Sequence, residues 1–244
     1  MRIEHLPEGD YLWRISLSVE SRSNVSRLWI SEHKMRFGAA LPKMGGLGTN
    51  VEHRWKGYSR RVMEDSIALI REHGFDVAML FGIPNLYAKF GYATTLPEVR
   101  IAFNAADAEE AISSYQIQKF ETRDAAKVLE IYAANNAEQT GTPVRYAARW
   151  REFKMGNSWS ERAAAFVIVD EADEAIGYFV CDDTEKHCTL SDIGFQSRTV
   201  FETIAHFLAD YASRMGVARI ECAMPPDYPF AIFCRRYRIQ DIDP

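Results

Sequence analysis

Apolar and polar residues alternate along two early stretches of the chain, 11–20 (YLWRISLSVE) and 25–41 (VSRLWISEHKMRFGAAL), and both are rich in β-branched and aromatic side chains. A period of two predicts half-buried strands, with the polar run 21–24 as the turn between them. The period changes at Ser59. From there to His73, the residues Val62, Met63, Ser66, Ile67 and Ile70 recur at spacings of three and four, with Arg60, Arg61, Glu64, Asp65 and Arg71 largely opposite. That spacing predicts an amphipathic helix, and Gly74 is placed to end it. A strand at 77–81 and a short aromatic helix around 86–92 complete the first half.

The second half repeats this outline. A strand at 98–103 leads into the polar, alanine-rich stretch 104–111, which reads as a linker, and a strand at 115–120 precedes a helix from 122 to about 136. After a loop at 140–143 come strands at 166–169, 176–181 and 188–195, a helix at 199–215 closed by Gly216, a strand at 218–223 and a short aromatic helix within 226–237. Laid on the first half, Gly216 matches Gly74, and 232–236 falls near 86–90, an internal duplication at the level of secondary structure.

Composition narrows the function classes. With 244 residues, 47% hydrophobic and 26% charged, the chain is an ordinary globular protein long enough for two small domains. A net charge of −5 argues against a general nucleic-acid binder and is compatible with a cationic amine as partner. No apolar run approaches the roughly 20 residues that cross a bilayer, and the start, MRIEHLPEGD, lacks the basic and apolar regions of a signal peptide, so no membrane association and a cytoplasmic location are expected. The four cysteines, Cys181, Cys188, Cys222 and Cys234, have no C-x-x-C spacing, so reduced, partly buried thiols are expected and no metal site; His187 beside Cys188 is the one hint of a metal pair.

The candidate chemistry lies where the second strand region hands over to the first helix, at Arg54-Trp55-Lys56-Gly57-Tyr58-Ser59. The first amides of a helix have no intrahelical partner, and the peptide dipoles sum to roughly half a positive charge there. Gly57 lets the backbone approach an anion and adopt positive φ, Ser59 is small enough not to cover the amides, and Arg54, Lys56, Arg60 and Arg61 supply cations, so the turn reads as a diphosphate cradle. The alternative is that Arg60 and Arg61 are only a solvated helix face. Upstream, GGLGTN lacks the G-x-G-x-x-G spacing of a dinucleotide fingerprint. Its glycines leave one edge of the strand open to a ligand instead.

Arg54-x-x-Gly57-x-Ser59, followed by a helix, a strand and Leu86-Tyr87-Ala88-Lys89-Phe90-Gly91-Tyr92, resembles the acetyl-coenzyme A site of the GNAT superfamily of N-acetyltransferases. Ser59 stands where that family usually has Gly or Ala. The resemblance implies an α/β fold with a mixed, mostly antiparallel sheet, and acetyl-CoA as donor held by Leu47, Gly48, Thr49, Arg54, Trp55, Lys56, Gly57, Tyr58, Ser59, Arg60 and Asn85. It implies backbone amides near 47–49 polarising the thioester, Tyr87 protonating the departing thiolate, and a primary amine attacking directly in a ternary complex with no metal. Tyr87 also reads as a packing aromatic, and Asn85 as a turn and helix cap. Glu52 and His53 lie beside the cradle, without either standing out as the base.

The duplicated outline is similar to tandem GNAT proteins, in particular the first two domains of the enhanced-intracellular-survival type of acetyltransferase. It implies an acetyl-CoA-binding domain at 1–105 with a short N-terminus, and a second, degenerate GNAT-like domain at 113–244. In the second copy Gln196-Ser197-Arg198-Thr199 has no glycine to open the turn, and Phe233 stands near the place of Tyr87. The family carries a strand and two helices ahead of the strand expected at 11–20, where ten residues stand here. The other reading is a non-catalytic acyl-CoA-binding or regulatory protein of the same fold. Exposed strand edges are compatible with a homodimer.

Overall fold

A computed structural model of the chain describes residues 1–9, 11–20, 22–36, 40–49, 53–80, 86–95, 99–154 and 161–239, with 40–49 described by backbone alone. The chain divides into two compact units, Met1–Thr95 with Glu138–Val144, and Leu96–Ala137 with Arg145–Pro244.

The first unit is an antiparallel meander with one helix on it. Strands β1 (Arg2–Pro7), β2 (Leu12–Val19), β3 (Arg22–Lys34) and β4 (Ala40–Thr49) lie in that order. The alternation that predicts β2 and β3 places Ile15, Leu17, Val25, Leu28 and Ile30 in one core, where they meet Val62, Met63, Leu69 and Ile70 of helix α1 (Tyr58–Glu72). Beyond the helix Gly74 takes φ 69°, a left-handed turn that glycine adopts without steric penalty. Strand β1 was not expected. It pairs with β2 from Arg2↔Ser18 to Pro7↔Trp13, and His5 bonds Asp65 on α1. Pairing with β2 and one contact from α1 fix a strand whose own alternation is too short to declare itself.

Of the strand expected at 77–81, residues 77–80 are described and Met79 there carries a β-bridge, while Phe81 lies outside the described residues. The short aromatic helix is present as a 3-10 turn, Tyr87–Phe90. The loop expected at 140–143 belongs to the first unit, where Met35 bridges Pro143 and the Arg36 amide donates to the Thr142 carbonyl at 3.0 Å.

The second unit has a six-stranded sheet in the order β5-β10-β9-β8-β7-β6, from β5 (Ile101–Asn104), β6 (Gln116–Lys119), β7 (Arg162–Val169), β8 (Ala175–Asp183), β9 (Cys188–Phe195) and β10 (Arg219–Cys222). Every neighbouring pair is antiparallel except β9 and β10. Helices α3 (Phe201–Arg214) and α4 (Pro229–Cys234) contribute to the core on one face, and α2 (Ala125–Asn135) to a separate cluster with Tyr178 and Val180. All four cysteines are buried free thiols in the first of these cores. The strand expected at 98–103 within domain 1–105 pairs with β10, Ile101↔Cys222 to Asn104↔Arg219, so the unit division falls at 95/96. Alternation identifies a strand; it does not say which sheet the strand joins.

One glycine of this sheet has no freedom to change. A Cβ at Gly194 would stand 2.2 Å from the Tyr178 ring, which lies fully buried on the next strand. Gly194→Ala is expected to destabilise the second unit by at least about 1–3 kcal/mol, the usual cost of overpacking. Gly216→Ala, at φ 68° with open space around it, should cost only about 1 kcal/mol. Urea denaturation of the two variants checks the difference, and equal midpoints would contradict it.

Candidate functional site

The candidate site of the first unit is built from β4 and the start of α1. β4 follows β3 in register from Lys34↔Ala40 to Trp29↔Gly45, then resumes at Arg27↔Gly48. Gly46 and Leu47 therefore oppose Leu28 alone, a β-bulge set among three glycines. A bulge leaves backbone groups out of the ladder and re-aims them. On its other side β4 is paired with no strand among the described residues. Leu47, Gly48 and Thr49 lie on this stretch.

The chain then turns into α1 through two left-handed residues, Trp55 at φ 65° and Gly57 at φ 77°. Gly57 is the N-cap, supplies no side-chain acceptor, and accepts the first intrahelical bond from the Arg61 amide at 3.2 Å. A Cβ built on Gly57 would meet nothing within 4 Å, so the space over the cap is open. The first turn carries no acidic residue. Arg54, Lys56, Arg60 and Arg61 are exposed, and none forms an ion pair among the described residues. The result is a helix N-terminus with its dipole uncompensated and cations on its flanks, which attracts anions.

The residues around the turn sort themselves. Trp55 stands fully exposed. His53 is 9% exposed, lies 3.3 Å from an Arg22 guanidinium nitrogen and packs against the Tyr58 ring, so it supports the turn from beneath. Tyr58 and Tyr87 both pack on the core that holds α1. Tyr87 opens the 3-10 turn, meets Tyr92 edge-on at 6.2 Å, and burial pushes its phenol up. Burial, with a smaller contribution from Tyr87, lifts Tyr92 to about 12. Asn85 and Glu52, both raised by the sequence, lie outside the described residues.

Comparison with known proteins points to one family over part of the chain. Residues 29–95, from within β3 past the 3-10 turn, match the sequence model of a family described as acetyltransferase (GNAT) domain. No curated protein matches the sequence. A solved GCN5-related N-acetyltransferase from Anabaena variabilis ATCC 29413 shares the fold with TM-score 0.71 at 15% identity, over 94% of this chain and 60% of that one. One from Kribbella flavida gives 0.67 at 16% identity, over 88% and 54%. Saccharomyces cerevisiae N-myristoyltransferase with bound myristoyl-CoA gives 0.62 at 9% identity, over 92% and 63%. These likenesses are of fold, a mixed α/β architecture with antiparallel and mixed sheets, and the chain spans about 54–63% of the length of these structures.

The connection from β9 to α3 in the second unit is built differently. β9 and β10 pair in parallel only from Ile220↔Cys188 to Cys222↔Leu190, after which β9 continues alone on that side to Phe195. Protein groups take up what the opening exposes. The Tyr228 hydroxyl donates to the Ile193 carbonyl at 3.3 Å, and the Asn135 amide both donates to and accepts from the Phe195 backbone at 2.8 Å. Phe195, Phe201, Phe230 and Phe233 stack edge to face beside them. At the helix start Ser197 Oγ accepts from the Thr199 amide at 3.3 Å, and Glu202 occupies the first turn of α3, paired with Arg236 at 2.9 Å. Sequence reasoning marked the missing glycine; it did not find Tyr228 or Asn135, whose roles depend on contacts between distant segments.

Among the described residues no group of three or more His, Cys, Asp or Glu is placed to hold a metal ion, and no helix is long and apolar enough to cross a membrane.

Two measurements follow from this geometry. Gly57 and Gly74 close the two ends of one helix, both at positive φ with open space around the Cβ position, so an alanine at either should cost about 1–2 kcal/mol in stability. Only Gly57→Ala should weaken binding of a diphosphate-bearing ligand, and equal loss in both variants would contradict the cradle. The second measurement concerns alkali. A phenol whose folded pKa exceeds its unfolded value of about 10 leaves stability intact below that pH, and the stability is lost as pH rises through 10 toward 12. Tyr92→Phe should flatten that alkaline loss in thermal melts taken across the window.

Proposed function

We propose that the chain is an acyl-CoA-dependent N-acyltransferase that moves an acetyl group from acetyl-CoA to a primary amine. In this reading the first unit is the coenzyme-binding GNAT-like domain and the second is a degenerate GNAT-like domain, an arrangement similar to the tandem acetyltransferases. The observation that carries the proposal is the contrast between two helix starts. That of α1 has Gly57 at the cap, no acid in its first turn and cations on its flanks, while α3 follows a 3-10 turn capped by Ser197 and bears an acid, Glu202, in its own first turn. An anion is favoured by about 0.3–1 kcal/mol at an uncompensated N-terminus, and a fixed carboxylate opposes it. The family match at 29–95 falls on the unit with the open start.

Coenzyme binding, carbonyl polarisation and thiolate protonation each have a group to serve them. The amides from Gly57 onward receive the diphosphate, with Arg54, Trp55, Lys56, Tyr58, Ser59 and Arg60 around it and Asn85 near the thioester arm. The unpaired edge of β4 at Leu47, Gly48 and Thr49 bonds the extended pantetheine arm as an added strand, and an amide freed by the bulge polarises the thioester carbonyl. The amine attacks directly in a ternary complex, and the thiolate, of ordinary pKa near 8.5, leaves with a proton from Tyr87. Burial raises the Tyr87 phenol, which makes it a weaker acid, so the role rests on its place in the motif and on its reach to the sulfur. In the second unit, Tyr228 and Asn135 occupy backbone groups that a pantetheine arm would need, which supports loss of coenzyme binding there. No metal takes part in this scheme. A cytoplasmic location fits it, and the free edge of β1 suits a homodimer.

Calorimetric titration with acetyl-CoA, followed by thiol release on a panel of primary amines, tests the proposal. Binding with amine-dependent thiol release is expected. Binding without release for any amine would favour a non-catalytic coenzyme sensor, and absence of binding would reject both. Within the enzyme, Tyr87→Phe should lower kcat by about a hundredfold with coenzyme affinity unchanged. Unaltered turnover would return Tyr87 to the packing residues.

A further inference from the structure

If the thioester lies beside the glycine run of β4, register fixes which side chains of the neighbouring strands stand next to it. Arg14, Trp29 and Gly45 form one row across β2, β3 and β4, and Ser16, Arg27 and Gly48 form another. Side chains alternate between faces along a strand, so both rows share a face. Leu28 and Ile30, which alternate with them, belong to the core under α1. The two rows therefore look away from the helix. Because α1 covers the other face, an acceptor reaches β4 over Trp29 and Arg27, and the glycines at 45, 46 and 48 put no side chain in its path.

A tryptophan with a charge of each sign beside it stands on that approach. Glu8, just past β1, accepts from Trp29 Nε1 at 3.1 Å and pairs with Arg14 at 3.0 Å, so its carboxylate is held from two sides. Arg27 lies over the same indole, its Cζ 5.3 Å from the ring centroid. It is exposed and makes no ion pair among the described residues. Two guanidinium groups beside one carboxylate repel a simple polyamine. A molecule that carries an amine and a carboxylate a few bonds apart meets complementary charge at both ends, with the indole between them as an apolar floor.

We propose that this face binds a free amino acid as the acetyl acceptor, with its carboxylate on Arg27, its α-amine on Glu8 and its side chain against Trp29. The proposal rests on the functional reading above. In the reaction the ammonium gives one proton to water, its nitrogen bonds to the thioester carbonyl carbon, and the C–S bond breaks. The nitrogen's second proton is released and the sulfur takes one up, leaving an N-acetyl amino acid, free thiol and one proton in solution. Glu8 and Arg27 set which acceptor is held, and neither changes the bonds.

Initial rates with acetyl-CoA on matched pairs, phenylalanine against phenethylamine and leucine against isoamylamine, test this on the full chain and on Arg27→Met and Glu8→Gln. The wild type should favour the amino acid about tenfold or more in kcat/KM, as one charged hydrogen-bond contact implies. Arg27→Met should erase that preference through KM, raising KM for the amino acid and lowering it for the plain amine as the repulsion is relieved. Glu8→Gln should raise KM for both members of each pair. Equal use of both members by the wild type, or an Arg27→Met variant that keeps the preference, overturns the proposal. Calorimetry with acetyl-CoA separates the two levels: coenzyme binding without amino-acid preference overturns the acceptor assignment alone, and no coenzyme binding overturns both.

Discussion

The start of α1 is held open by one backbone conformation, the left-handed turn at Gly57, and the functional reading depends on it. With φ at 77°, Gly57 caps the helix through its backbone and brings no side chain over the first turn. The helix can keep its N-terminus uncapped because its stability comes from elsewhere: Val62, Met63, Leu69 and Ile70 are buried against β2 and β3, and Gly74 ends the helix without strain. Packing thus compensates for the missing cap, which would ordinarily contribute about 1 kcal/mol. His53 and Tyr58 support the turn from below, leaving Arg54, Trp55 and Lys56 on its outer side.

The two units each carry a strand-to-helix connection, and the two connections are built differently. In the first, a bulged edge strand of glycines leads to an open, basic helix start. In the second, the parallel strands part after Leu190, and the gap is filled by Tyr228, Asn135 and a stack of phenylalanines, while the helix start acquires Ser197 and Glu202. Each of these residues satisfies a polar group or buries apolar surface within the unit. The second unit gains a closed core in this way, with Phe201 and Phe230 fully buried.

Much of this was legible in the sequence, for physical reasons that differ from element to element. The helix at 58–72 was readable because its apolar face follows a strict period and its ends carry the glycines at 57 and 74. β9 was readable because residues 188–195 are bounded by turn residues at both ends. β1 was hidden because its pairing depends on β2 and on an Asp65 contact from α1. The allegiance of β5 to the second sheet was hidden because its partner, β10, lies more than a hundred residues further along. At the candidate site, the cradle could be read from Arg54, Gly57 and Ser59 alone. The β4 bulge could not, since it exists only in register against Arg27 and Trp29. Glu8 likewise gains a role only once Trp29 and Arg14 are folded beside it.

The central claim is that the amides following Gly57, and not those at the start of α3, grip the diphosphate of the carrier. Amide hydrogen exchange measured with and without acetyl-CoA addresses it residue by residue. The account predicts slowed exchange at residues 57–61 and along 45–49, with residues 197–203 unchanged. Protection confined to the start of α3, or no change at 57–61 at saturating coenzyme, would contradict it.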